Sequence, residues 1–347
     1  MKYPNFLKTD GTIGLVAPSC GAAFEPYIST QMAAIEYFKS LGYKIEEGPN
    51  IYKGDGIGIS TNPKDCGQEL TDFYCSGEND ILISCGGGEL MCETLDYVDF
   101  DRIKEAAPKW YMGYSDNTNF TFLLNTICDV ASIYGPCVGS FGARKLHKSH
   151  EDAIEIFTGK RDEVSSYEGY EILSLKSEED PLAPYNLTEK SKVMVYVGEK
   201  TITEKREFSG RIVGGCLDCL VNLCGTKYDY VKAFNEKYKA DGVIWFLEAC
   251  DLNLMSYRRA LWNLDRAGWF ENASGFIIGR PRASYQAVEW GIDTYQAVTG
   301  IIGKYNVPIV MDADIGHLPP MMPIVSGAYT NCIAENAKLN IKYFFDK

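Results

Sequence analysis

The sequence predicts an α/β protein, with an N-terminal parallel-sheet, Rossmann-like domain followed by a C-terminal mixed α/β domain rich in β. Three observations predict it. Short apolar β runs alternate with helix-periodic segments through the first part of the chain. Charged stretches (ARKLHKSHED, SLKSEEDP, EKTITEKRE) then interrupt that pattern between about residues 142 and 210. After them, apolar runs and helices resume and end in a β-rich C-terminus. The expected division is an N-terminal domain over residues 1–150, a connecting segment over 151–205 and a C-terminal domain over 206–347.

In order, Thr12–Ala17 is a short apolar strand that ends in Pro-Ser-Cys-Gly. Ser29–Leu41 has helical periodicity and stops at Gly42, and Tyr43–Ile45 begins the next strand. Asn62-Pro63 pairs a capping side chain with proline at the first helical position, so a helix should run from there to about Cys75. Ile81–Ser84 is a buried strand entering Cys85-Gly86-Gly87-Gly88. Trp110–Met112 is a strand, Asn117–Ile127 a helix and Ala131–Tyr134 a strand. A short acidic helix lies near Ala153–Phe157. Beyond the charged region come a strand at Arg211–Gly215, a helix at Leu217–Leu223 and a strongly buried strand at Val243–Leu247. A helix over Ser256–Ala267 ends at Gly268, and strands follow at Phe276–Ile278 and Pro308–Met311.

Bulk composition excludes several classes. A net charge of −13, spread along the chain, repels nucleic-acid phosphate and anionic lipid, so neither nucleic acid nor membrane is an expected partner. No apolar run approaches the roughly 20 residues of a membrane span, and the N-terminus carries no secretion signal. Twelve cysteines in such a chain read as reduced thiols, which points to the cytoplasm. Cys216 and Cys219 form a CxxC with no nearby His and no second CxxC, so they read as small buried side chains rather than a zinc site. No metal or cofactor is expected.

Four loops after predicted strands carry chemistry-bearing residues, the place where open parallel sheets collect function. Gly113-Tyr114-Ser115-Asp116 has a strand, tight turn, helix context like that of a nucleophile elbow, although Ser115 or Asp116 as a plain helix cap fits equally well. Cys85-Gly86-Gly87-Gly88-Glu89 lets backbone N–H groups converge on an anion, or is simply a flexible turn. Glu248 closes the apolar run VIWFL, where a carboxylate is costly unless it is paired or partly solvated, and a structural salt bridge or a helix cap fits it equally well. His317, in Ile315-Gly316-His317-Leu318-Pro319-Pro320, is one of three histidines and the one best placed for a buried site, although a lone His is more often structural; His147 and His150 sit in a charged segment expected to be solvated. A serine needs a base to become a nucleophile, and the imidazolium then formed needs a carboxylate. Ser115, His317 and Glu248 supply that set.

At these residues the sequence resembles the LD-carboxypeptidase family of serine peptidases, which includes muramoyltetrapeptide carboxypeptidases and microcin C immunity peptidases. The likeness runs through nearly the whole chain: GLVAPS, the triple glycine after ILIS, GYSD with Asn117-Thr118, Tyr134-Gly135-Pro136, RIVGG, FLE, FIIGR and the GH before Pro319. The resemblance implies Ser115 as nucleophile, Glu248 as acid and His317 as base, with N–H groups of Gly87 or Gly88 and of Asp116 forming the oxyanion hole. It implies a homodimer that uses no metal. It also implies hydrolysis of an amide next to a D-amino acid in cell-wall muropeptides, as in peptidoglycan recycling. Cleavage of an aminoacyl-nucleotide toxin is the alternative, with Trp245, Trp262 and Tyr228 as candidate stacking partners for the nucleobase, although core packing is the commoner role of such rings. A non-catalytic peptide- or anion-binding protein is the alternative of another class. Arg280 or Arg282, after the FIIG strand, would hold a substrate carboxylate. The family often has Asn where this chain has Cys216, which touches on substrate binding.

Overall fold

The computed structural model describes residues 1–346 and divides them into two compact units, one of residues 1–161 and 173–186, the other of 162–172 and 187 onward. The first unit contains β1 (Thr12–Val16), α1 (Tyr27–Ser40), β2 (Lys44–Glu47), α2 (Pro63–Cys75) and β3 (Ile81–Ser84). It continues through the short helices α3 (Met91–Thr94) and α4 (Phe100–Glu105) to β4 (Trp110–Gly113), α5 (Thr118–Thr126), β5 (Ser132–Tyr134) and α6 (Lys148–Phe157). Its strands stand in the order β5-β4-β3-β1-β2, all parallel. β3 and β4 are buried along their whole length, as strands covered on both faces must be, whereas the edge strand β2 is partly exposed. Val16, Leu82 and Tyr111 from the sheet pack with Leu70, Tyr74 and Phe120 from the helices in one core cluster.

The local signals hold where they rest on backbone chemistry. The Asn62 side chain accepts from the Asp65 N–H at 3.0 Å with Pro63 in the first turn, and α2 runs to Cys75 as the sequence predicts. α1 ends at Gly42, whose φ of +92° only glycine adopts without strain.

The second unit carries β6 (Glu163–Ser165), β7 (Gly169–Tyr170), β8 (Glu189–Lys190), β9 (Met194–Val197), β10 (Lys200–Ile202) and β11 (Arg206–Cys216). Next come α7 (Leu217–Leu223), α8 (Val231–Lys237), β12 (Val243–Glu248), α9 (Leu254–Arg266) and β13 (Ala273–Gly279). The chain closes with β14 (Val288–Glu289), β15 (Ile292–Asp293), α10 (Thr294–Ile302), β16 (Pro308–Ala313), β17 (Ile324–Ser326), β18 (Tyr329–Glu335) and β19 (Lys338–Phe344). Nine strands form a mixed sheet in the order β10-β9-β16-β13-β12-β11-β18-β19-β6. Its centre, β11-β12-β13-β16, is parallel, and the flanking strands pair antiparallel. All six residues of β12 are buried, while β18 and β19 alternate buried and open positions, as a sheet with one wet face requires. Trp245 of β12 lies in this core, stacked on Trp269 at 5.8 Å and edge-on to Phe270 at 5.3 Å.

Candidate active site

In the first unit, β4 ends at Gly113 and the chain turns at once. Tyr114 is extended, Ser115 adopts φ +62°, and a short 3-10 turn over Ser115–Asn117 leads into α5. Serine in the left-handed region costs about 1–3 kcal/mol and persists only where its surroundings enforce it. The enforcing contacts are visible. The Ser115 N–H donates to the Tyr134 hydroxyl at 3.0 Å. Asn117 donates to the carbonyls of Gly86 at 2.8 Å and Tyr114 at 3.1 Å, and Tyr111 donates to its Oδ1. Asp116, 3% exposed, accepts from Ser19 Oγ at 2.6 Å and the Met91 N–H at 2.9 Å; burial pushes its carboxyl above the ordinary range against those bonds.

The glycine loop is pressed against this turn. A Cβ at Gly87 would stand 3.0 Å from Ser115 Cβ and 3.1 Å from Oγ; at Gly88 it would meet Ser19 Oγ at 2.3 Å. The Gly87 carbonyl accepts from the Cys20 N–H at 3.0 Å, so its peptide has a defined orientation. Only residues without a side chain bring backbone this close to the Ser115 hydroxyl. Tyr134 and Asn117 therefore hold the elbow. The sequence shows them within the motifs, as Asn117-Thr118 after GYSD and in Tyr134-Gly135-Pro136, but without this role, because nothing in their spacing reveals which way a strand-end hydroxyl points.

In the second unit, Glu248 ends β12 with no exposed surface, and its Oε2 lies 2.8 Å from His317 Nδ1. Two glycines make room for it. A Cβ at Gly316, where φ is +100°, would stand 2.5 Å from Glu248 Oε2, and one at Gly279 would stand 3.0 Å from Glu248 Cβ. Burial is the largest influence on His317 and works against its charge. Glu248, with a hydrogen bond that the imidazolium gives to Cys250, outweighs it and holds the imidazole up at about 10.

The remaining predicted residues separate. Arg280 is 1% exposed: it pairs with Asp314 at 2.6 Å, donates to the Asp312 carbonyl at 2.7 Å and lies over the Tyr170 ring at 4.1 Å. Its charge is engaged inside the unit. The Arg282 side chain is 57% exposed and reaches Cys250 Sγ at 3.6 Å. Cys216 is buried at the end of β11, opposite Glu248 in the strand register, and donates to Asp218 at 3.3 Å. Of the three candidate stacking rings, Trp245 is core, while Trp262 on α9 is half exposed.

The expectation that both His147 and His150 are solvated is corrected for His150. It is 1% exposed, stacked on Tyr185 at 5.2 Å and edge-on to Phe141 at 5.4 Å, and burial drives its pKa down to about 3. His147 caps α6, accepting from the Ser149 N–H at 3.1 Å. Lys148 and Glu151 lie on the open face of α6 while Asp152 is buried against Lys148 and Arg161, and a linear reading cannot tell such a helix from a solvated segment. No helix among the described residues is long and apolar enough to cross a membrane.

Comparison with known proteins bears on both units. Residues 13–135 match the model of the LD-carboxypeptidase N-terminal domain, and residues 209–331 match that of its C-terminal domain. A Vibrio cholerae protein named "Putative carboxypeptidase" is 24% identical over 327 residues, covering 93% of this chain and 92% of that one. A Streptomyces coelicolor protein of the same name is 22% identical over 79% of this chain and 75% of its own. Among solved structures, an MccF-like protein from Bacillus anthracis aligns with a TM-score of 0.82 at 22% identity, over 99% of this chain and 100% of its own. MccF in complex with glutamyl sulfamoyl guanosine aligns at 0.80 and 21% identity, over 99% and 98%. At that identity the structural likeness speaks for the fold alone. The two matched domain models cover more than half of the sequence, and the chain belongs to the LD-carboxypeptidase family, making it a hydrolase of the serine carboxypeptidase kind.

Proposed function

We propose that this enzyme hydrolyses an amide through Ser115 as nucleophile, His317 as base and Glu248 as the group that orients the base and stabilises the imidazolium it becomes. The observation that carries the reading is the 2.8 Å pair between His317 Nδ1 and the buried Glu248 carboxylate. With Nδ1 engaged, proton transfer falls to Nε2. Ser115 Oγ attacks the carbonyl carbon as its proton passes to Nε2. The oxyanion is held by N–H groups of Gly87 or Gly88 and of Asp116. As the tetrahedral species collapses, His317 gives the proton to the leaving amine. Water, deprotonated by the same imidazole, then clears the acyl-enzyme. The strained φ of Ser115 and the contact of Gly87 with it support these roles. Arg282, exposed where Arg280 is buried, is the cation proposed for a substrate carboxylate.

The substrate proposed first is an aminoacyl-nucleotide amide. MccF, in complex with glutamyl sulfamoyl guanosine or with aspartyl sulfamoyl adenosine, matches this chain over 99% of its length. Muropeptide hydrolysis is the second reading, favoured by the LD-carboxypeptidase domain matches. The enzyme is proposed to act in the cytoplasm as a homodimer. Incubation with aspartyl sulfamoyl adenosine and, separately, with a muropeptide tetrapeptide should release the amino acid from the first; release from the second alone transfers the assignment to the cell wall. Ser115→Ala should lose activity by at least about 10³-fold with unchanged melting, and full turnover in that variant overturns the mechanism.

A further inference from the structure

The sequence predicts no metal at Cys216 and Cys219, because no histidine lies near them in the chain. The fold supplies one to Cys216. β11 and β12 pair in parallel with Cys216 opposite Glu248, and ligand atoms of Cys216, Glu248 and His317 all lie within 4.8 Å of one another. We propose that these three side chains form a zinc site whose occupation switches the enzyme off by consuming its base.

A thiolate, an imidazole and a carboxylate are the donors zinc takes. At bond lengths of about 2.0–2.3 Å, ligand atoms in a tetrahedral site stand roughly 3.3–3.8 Å apart, so the widest separation present closes by about 1 Å. Two of the donors already touch, at 2.8 Å. Asp218 braces the walls: it accepts from Cys216 Sγ at 3.3 Å and from the N–H groups of Cys250 and Asp251, both at 3.0 Å. Cys250, hydrogen-bonded to the same imidazole, is a second soft donor beside the site. Binding expels the Cys216 thiol proton and one imidazole proton, so zinc affinity rises with pH. An imidazole bound to zinc cannot accept the serine proton in the orientation Glu248 sets.

The inhibitory consequence rests on the reading of His317 as base, whereas metal binding does not, and the test keeps the two apart. The reduced full-length chain is titrated with Co²⁺, and the thiolate-to-cobalt charge-transfer absorption is read. One equivalent should develop the band in the wild type and in Cys332→Ser, whose thiol is buried on β18 away from the cluster, and Zn²⁺ should bleach it. Cys216→Ser should lose the band; if that variant fails to fold, His317→Ala carries the same expectation. No band in the wild type, or a full band in Cys216→Ser, overturns the site. In a parallel assay, one equivalent of Zn²⁺ should lower amide hydrolysis at least tenfold, with recovery on adding EDTA. Binding without inhibition would leave the zinc site standing and reject its role as a switch.

Discussion

At the scale of single residues, the proposed mechanism makes His317 and Glu248 set the pH behaviour. His317 must be neutral to accept a proton, and its folded pKa is held above the ordinary imidazole value. The acid limb of kcat/KM should therefore lie above about 6.5. For stability the sign is the reverse. The pair stabilises fully below the unfolded imidazole value and loses that contribution as pH rises through the folded one, at about 10. Glu248→Gln should move the acid limb downward and cut kcat by about 10²–10⁴-fold, read from a pH–rate profile; an unmoved limb would separate Glu248 from the base. Gly316 is the second residue-scale case. Alanine there meets Glu248 Oε2 at 2.5 Å and a φ of +100°. Gly316→Ala should cost about 2 kcal/mol or more by chemical denaturation and depress activity as well.

Among the elements, helix ends and glycine turns decide where side chains of the site are delivered. α9 follows the loop after Glu248 and starts where Asn253 accepts from the Ser256 N–H at 2.9 Å. Its buried stripe, Leu254, Tyr257, Leu261 and Leu264, repeats at helical spacing. Asn253→Ala should destabilise by about 1 kcal/mol in urea unfolding with an unchanged m-value. α10 shows what local patterns hide. Its β-branched run TYQAVTGII reads poorly as a helix, yet Asp293 and Gln296 form a reciprocal capping box that starts it. That spacing stands in the sequence and was the available signal.

Across the whole molecule, buried charges tie segments far apart in sequence. Asp314 accepts from Arg280, the Tyr167 N–H at 2.8 Å and Ser191 Oγ at 2.6 Å. Removing one partner strands the other without water. Asp314→Asn should therefore cost about 3–5 kcal/mol by equilibrium unfolding. Arg282→Ala, at an exposed side chain, should leave stability within about 0.5 kcal/mol and raise KM. Equal stability losses in the two variants would remove the distinction drawn between the arginines. The same scale explains the misread His150. Its ring is covered by Tyr185 and Phe141, neither of them its neighbour in the chain.

The sequence by itself determined the alternation of strand and helix, the capped start of α2, and the four loops that hold the residues proposed for the chemistry, including Ser115, Glu248 and His317. Each of these rests on interactions within a few residues or on apolar periodicity, which a linear chain displays directly. Tertiary structure alone decided that Glu248 meets His317, that Tyr134 and Asn117 hold the serine turn, that Arg280 is an internal tie, and that Cys216 shares its surroundings with a histidine. Those outcomes depend on strand order and register, which pair residues dozens of positions apart through burial and parallel hydrogen bonding, and local patterns carry no record of that choice.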